Sequence, residues 1–204
     1  ETQASRTEGA KGTALLAEAV SAYRDALTIR TRADHPVDWA MTMQNLAIAL
    51  QAQASRTEGA NGTALLDEAV SAYRDALTVF TRKDHPVEWA MTMQNLAGAL
   101  ETQGSRTEGA AGTALLAEAV SAYRDALTIR TRADHPVQWA ITQENMAVLE
   151  LTRAAHDSCP DPRPHHEAAL AHVDAALEVY DPDHMAYDHG TATRLRNQIL
   201  QLLA

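Results

Sequence analysis

"DHPVDWAMTMQNLAIAL", residues 34–50, returns as "DHPVEWAMTMQNLAGAL" at 84–100 and as "DHPVQWAITQENMAVLE" at 134–150, each 50 residues further along the chain. The apolar spacing within it is helical. At 100° per residue Trp39, Met43, Leu46 and Leu50 fall on one stripe of the i, i+3, i+4, i+7 type, which predicts a helix from about His35 to Gln53. Its start is marked by "DHP": Asp34 or His35 can cap, Pro36 sits in the first turn where its missing N–H costs nothing, and Asp38 adds early negative charge.

Working outward, residues 1–50 differ from 51–100 at 9 positions and from 101–150 at 10, so that 34 of 50 positions are the same in all three copies. This is an internal repeat. A fourth, worn copy stays in register, with "AALAHVDAALEVY" at 168–180 lying 150 residues beyond "EAVSAYRDALTIR" at 18–30. Each copy also holds a second helical pattern, from about Thr13 to Arg30, with Leu16, Ala19, Val20, Tyr23, Ala26 and Leu27 on one side. Alanines at 19, 22 and 26 allow a neighbouring helix to come close. The joining segment "SRTEGAKG" has two glycines and no large apolar residue, and reads as an exposed turn.

The helix opened by "DHP" (helix A) and the second helix (helix B) therefore form a hairpin. One hairpin cannot bury both of its faces, whereas stacked hairpins share a continuous core. The expected fold is an all-α, right-handed α-solenoid of helix-turn-helix hairpins with a period of about 50 residues. It divides into helix B of a partial repeat at 1–33, repeats at 34–83 and 84–133, a divergent repeat at 134–182, and a polar capping helix at 183–204. The first helix B has no helix A before it, so the expectation is that a preceding repeat or a second copy covers it, and a homodimer through that helix is the corresponding partner reading. The opening "ETQASRTEG" elsewhere follows an A helix, which leads us to expect an excised piece of a larger protein.

Composition narrows the function classes. Alanine-rich apolar content with only 4% aromatic residues suits packed helices better than a sheet. A formal net charge of -10, with no basic stripe, argues against a nucleic-acid partner. No apolar run suggests a membrane span, and the single Cys159 permits no intrachain disulfide, so the expected setting is the cytoplasm.

These residues resemble the tetratricopeptide repeats over nearly the whole chain. The matching signature is "NLA" with a leucine four residues after its own (Leu46, Leu50), followed in helix B by Ala19, Tyr23 and Ala26. The "DHP…NLA" form is most similar to the kinesin-light-chain type. The 50-residue version resembles arrays in large bacterial multidomain proteins, some of which carry caspase-like peptidase or nucleotide-switch domains. The resemblance implies a scaffold whose A helices line a concave groove holding a protein or peptide partner; the alternatives are a structural spacer or self-association arm, and a sensor module of a larger bacterial multidomain protein with a peptidase or nucleotide-switch domain. It further implies that an asparagine at the place of Asn45 grips the backbone of an extended segment. The length departs from the usual unit of about 34 residues, with the surplus in the A–B linker and in "TRADHPV".

On the helical wheel Met41, Asn45 and Ile48 lie away from the Leu46 direction. The stripe continues to Ala52, its equivalents are Met91, Asn95, Gly98 and Thr102, then Ile141, Asn145, Val148 and Thr152, and the flanking residues are Gln44, Gln94 and Glu144. A carboxamide offers both a donor and an acceptor, which matches a peptide unit whatever its side chain. The absence of lysine and arginine beside it points to a partly apolar peptide or a helix, not to a terminal carboxylate. An alternative stays open: the asparagine hydrogen-bonds to the next A helix and fixes the stacking register.

Other constellations carry less. His156, Cys159, His165 and His166 have ligand types that suit zinc, but their spacing matches no defined finger, and neither a metal nor a cofactor is expected. His35, His85 and His135 recur because "DHP" recurs. No phosphate loop or nucleophile elbow is present, and the carboxylates fall on helix surfaces, so no enzyme is expected. The pairs "YRD" and "RTR" are expected on the convex face or bridging neighbouring repeats.

Overall fold

A computed structural model describes the backbone of residues 3–204 and the side chains from Lys11 onward. The fold is all-α, with eight helices and no strand among the described residues: α1 (Gln3–Ile29), α2 (Pro36–Ala54), α3 (Gly59–Leu77), α4 (Pro86–Ser105), α5 (Gly109–Leu127), α6 (Pro136–Ala155), α7 (Arg163–Leu177) and α8 (Ala186–Leu203). Within each unit consecutive helices pack as neighbours, α1 on α2 and α2 on α3 in the first and α5 on α6, α6 on α7 and α7 on α8 in the second, consistent with a repeat of helical hairpins. The chain divides into two compact units, Glu1–Ala99 and Leu100–Ala204, with the boundary inside α4.

The A helices α2, α4 and α6 each begin on the proline of "DHP", as the sequence leads one to expect. The residue before it, His35 or His135, is the N-cap but makes no side-chain capping bond. The aspartate is occupied elsewhere: Thr31 Oγ1 donates to Asp34 Oδ2 at 2.6 Å and accepts from Asp34 N–H at 3.1 Å. The same closed pair recurs at Thr81–Asp84 and Thr131–Asp134. Within the same turn Arg32, Arg82 and Arg132 lie over the rings of Trp39, Trp89 and Trp139 at 5.6, 5.7 and 5.5 Å from the centroids. Each such contact contributes about 0.5–1 kcal/mol. Each of these arginines thus packs on the A helix that follows it, and Arg132 also bridges to Glu178 at 2.6 Å, as expected of the "RTR" pair. The arginine of "YRD" does bridge repeats in one case, Arg24 to Glu68 at 2.6 Å between α1 and α3.

The B helices begin earlier than the composition of the linker suggests. Only residues 55–58 and 106–108 form the turn; "GANG" at 59–62 and "GAAG" at 109–112 are already helix. Gly59 and Gly109 carry φ of 64° and 66°, the left-handed region in which a glycine costs least, and this redirects the chain into the helix. Gly112 is a packing residue: a Cβ there would run into the carbonyl of Thr107 and the ring of His156. In the first copy the expected turn at 5–12 is absent, since α1 runs unbroken from Gln3.

Each unit has its own core. In the first, Ala40, Ala76 and Phe80 are buried together with Trp39, Met43, Val79 and Trp89 packed around them. In the second, Ala140, Val173, Tyr180, Ala192 and Ile199 are buried, with Leu151, Leu170 and Leu195 alongside. Thr42, Thr92 and Thr142 are buried in their A helices because each hydroxyl donates to the carbonyl four residues back, at 2.7, 2.7 and 2.8 Å. No helix among the described residues is long and apolar enough to cross a membrane.

Candidate functional site

The A-helix face singled out in the sequence faces outward. Met41, Asn45 and Ile48 are exposed on α2; Met91 is exposed on α4 with Asn95 and Gly98 half-buried; Ile141 and Val148 are exposed on α6 with Asn145 half-buried between them. The cause is helical spacing: Leu46 and Leu50 take the buried side of α2, as Leu96 and Leu100 do in α4, and the residues about 100° or more away are left outside. Asn45, Asn95 and Asn145 make no side-chain hydrogen bond among the described residues.

The flanking residues are not equivalent to one another. Gln44 is only 4% exposed and belongs to the core side. Gln94 is half-buried. Glu144 is half-buried and accepts a hydrogen bond from Tyr180 Oη at 3.0 Å. Burial raises the Glu144 carboxyl above its usual range, and the charge of Asp188 adds to this, while the Tyr180 bond opposes it. Each copy, taken by itself, thus presents a short ribbon of apolar side chains with one amide and no cationic residue within it. Such a ribbon can hold apolar side chains and pair with peptide groups, and it offers no charge for a carboxylate or phosphate.

Several histidines and carboxylates of the second unit, by contrast, are engaged in bonds within the fold. Glu150 stands where the earlier copies have Leu50 and Leu100 and is only 5% exposed. His165 Nδ1 donates to its Oε2 at 2.6 Å and Arg153 to its Oε1 at 2.8 Å. This supplies both oxygens with charge-assisted partners. His172 Nδ1 donates to Gln143 Oε1 at 2.6 Å, and His156 Nε2 donates to the Thr107 carbonyl at 3.0 Å. Burial lowers the His172 pKa, with the charge of Glu150 opposing. No group of three His, Cys, Asp or Glu side chains among the described residues is arranged to hold a metal ion.

Two cavities lie in this unit. The larger, about 530 Å³, opens between the α4–α5 turn and the end of α6 and is lined by Arg106, Thr107, Glu108, Thr152, His156 and Asp157. Its floor is tied across by the Asp157 carboxylate, which accepts from Gly109 N–H at 3.2 Å and so caps the start of α5. The smaller, about 100 Å³, lies among Thr113, Leu116, Arg153, Cys159 and His165. Cys159 Sγ makes no hydrogen bond among the described residues. A residue that sequence reading passed over is Glu101. Its carboxylate accepts from Thr152 Oγ1 at 2.8 Å, and burial pushes its pKa up from 4.5 to about 7.

Comparison of the chain with protein-family models, with characterised proteins and with solved structures finds no match.

Proposed function

We propose that this chain is a protein- or peptide-binding scaffold, in which the outward faces of the A helices hold an extended or helical partner segment. The observation that carries this is the patch repeated in each copy, Met41–Asn45–Ile48 on α2, Met91–Asn95 on α4 and Ile141–Asn145–Val148 on α6, whose methionine, isoleucine and valine side chains are exposed and whose amides form no side-chain bond among the described residues. A fold spares such apolar surface from burial at a cost in hydrophobic stabilisation, and a partner recovers it. The amides add direction. Each hydrogen bond to a peptide group contributes about 0.5–1.5 kcal/mol net, so selectivity rests on Met, Ile and Val around it.

The resemblance to the tetratricopeptide repeats supports the same reading through "NLA" and the Ala19–Tyr23–Ala26 pattern. It extends to a bacterial, cytoplasmic multidomain protein, for which the support is the likeness of the 50-residue repeat to such arrays and the single cysteine. No cofactor, metal or catalytic step belongs to this reading.

The test is a random-peptide display selection on the folded chain, followed by affinity measurement on the triple variant Asn45→Ala, Asn95→Ala, Asn145→Ala. Selected peptides are expected to lose about tenfold or more in affinity, with the melting temperature unchanged because no internal bond is removed. Equal affinity for both proteins, with a lowered melting temperature, assigns the asparagines to stacking and removes the reading.

A further inference from the structure

The B helices have nearly the same sequence but not the same surroundings. Leu66, Ala69, Tyr73 and Ala76 of α3 and Leu116, Ala119, Tyr123 and Ala126 of α5 are buried. In α1 the equivalent Leu16, Ala19, Tyr23 and Ala26 are only half-buried. The contrast is sharpest at Ala22, which is exposed, whereas Ala72 and Ala122 are 2% and 3% exposed. Leu15 and Ile29, at 55% and 77% exposure, continue the same side. At 100° per residue Tyr23, Ala19, Ala26, Leu15, Ala22 and Ile29 span one sector of roughly 120°. Val20, 40° to the other side of Leu16, is 4% exposed like Val70 in α3, so α1 packs on its following A helix while no other A helix among the described residues covers the far side.

The molecule itself shows what this side takes. Tyr73 Oη donates to Gln51 Oε1 at 3.3 Å, and Gln51 is in α2, the A helix that precedes α3. A Cβ on Gly104 would stand 2.8 Å from Leu116 Cγ, so the leucine of a B helix sits against a small residue near the end of the preceding A helix. Both contacts are made by residues identical to Tyr23 and Leu16 of α1. They fix the identity and register of the missing neighbour.

We infer that the Leu16–Ala19–Ala22–Tyr23 side of α1 is a docking surface for an A-type helix supplied from outside residues 1–204. That helix lies antiparallel to α1, with a glutamine or glutamate acceptor opposite Tyr23 and an alanine or glycine opposite Leu16. The alanines allow the close approach that α2 and α3 already make. The inference is independent of the peptide-binding ribbon, which lies on the A helices.

The probe is a fluorescent peptide of residues 34–57, which carries the α2 sequence, titrated into the full 204-residue chain. Saturable binding is expected, weakened at least about tenfold by Ala22→Arg and by Leu15→Lys. Both sites are exposed, so both variants are expected to retain the circular dichroism of the parent. Asn45→Ala with Asn95→Ala is expected to leave this binding unchanged, which separates it from the ribbon. No saturation at millimolar peptide overturns the inference, as does binding indifferent to both α1 variants. A chain that sediments as a homodimer through α1, broken by Ala22→Arg but not by the peptide, overturns the A-type helix as occupant in favour of a second α1.

Discussion

The repeat places Gln51, Glu101 and Leu151 at one position, and three side chains of similar size give three local chemistries. Gln51 accepts from Tyr73 as a neutral amide; Leu151 joins the apolar core of the second unit; Glu101 is held by Thr152 and raises the pKa of Tyr123 beyond what burial alone does. The Glu101 pKa moves from 4.5 to about 7 because burial penalises its charged form. A carboxyl raised on folding stabilises most when protonated, so its contribution is complete below about pH 4.5, declines as the pH climbs through 7, and is absent at pH 8. Glu101→Gln, which copies the residue at 51, is expected to stabilise the chain at pH 8 by on the order of 2 kcal/mol and to change little at pH 4. Urea melts at the two pH values measure this; equal effects at both would remove the titration argument. Position 30 of the repeat shows the same freedom: Arg30 donates to Thr42, while Phe80 and Tyr180 are buried. The asparagines and their Met and Ile neighbours were legible as an outward stripe from helical phase alone. The burial of Gln44 was not, because its distance from the Leu46 direction on the wheel says nothing about which second neighbour covers it.

At the scale of elements, the A helices were readable nearly to the residue, since proline sets the start and the apolar stripe sets the length. The B helices were not, since glycine reads as turn chemistry when its neighbours in space are unknown. Gly59 and Gly112 separate the two uses. Gly59 has φ 64° and nothing within 4 Å of a built Cβ, so Gly59→Ala is expected to cost only the left-handed penalty, about 1–2 kcal/mol. Gly112→Ala forces a methyl into the Thr107 carbonyl and His156, and is expected to cost more than that, with the His156–Thr107 bond broken. Chemical denaturation of the two variants, with the His156 ring followed by NMR, distinguishes them. The "TRADHP" turn teaches the same lesson, for its Asp34 was available as a helix cap and is taken by Thr31.

For the whole molecule, stability in a repeat array is a sum of local and nearest-neighbour terms, and the division at Ala99–Leu100 sets where a local defect stops. Phe80→Ala, which empties a buried site among Ala40, Ala76 and Trp89, is expected to cost about 3–4 kcal/mol. Amide hydrogen exchange is expected to show lost protection in α2 and α3 while α7 and α8 keep theirs; an equal loss throughout would mean one cooperative unit. The sequence by itself determined the helical class, the 50-residue period and the outward asparagine stripe, because periodicity and repetition are local properties of the chain. Only the tertiary structure decided that Glu150 is held by Arg153 and His165, that Arg32 covers Trp39, and that one side of α1 stays open where its copies are closed. Those outcomes depend on which residues from other helices arrive at each site, and nearly identical sequence in α1 and α3 meets different neighbours.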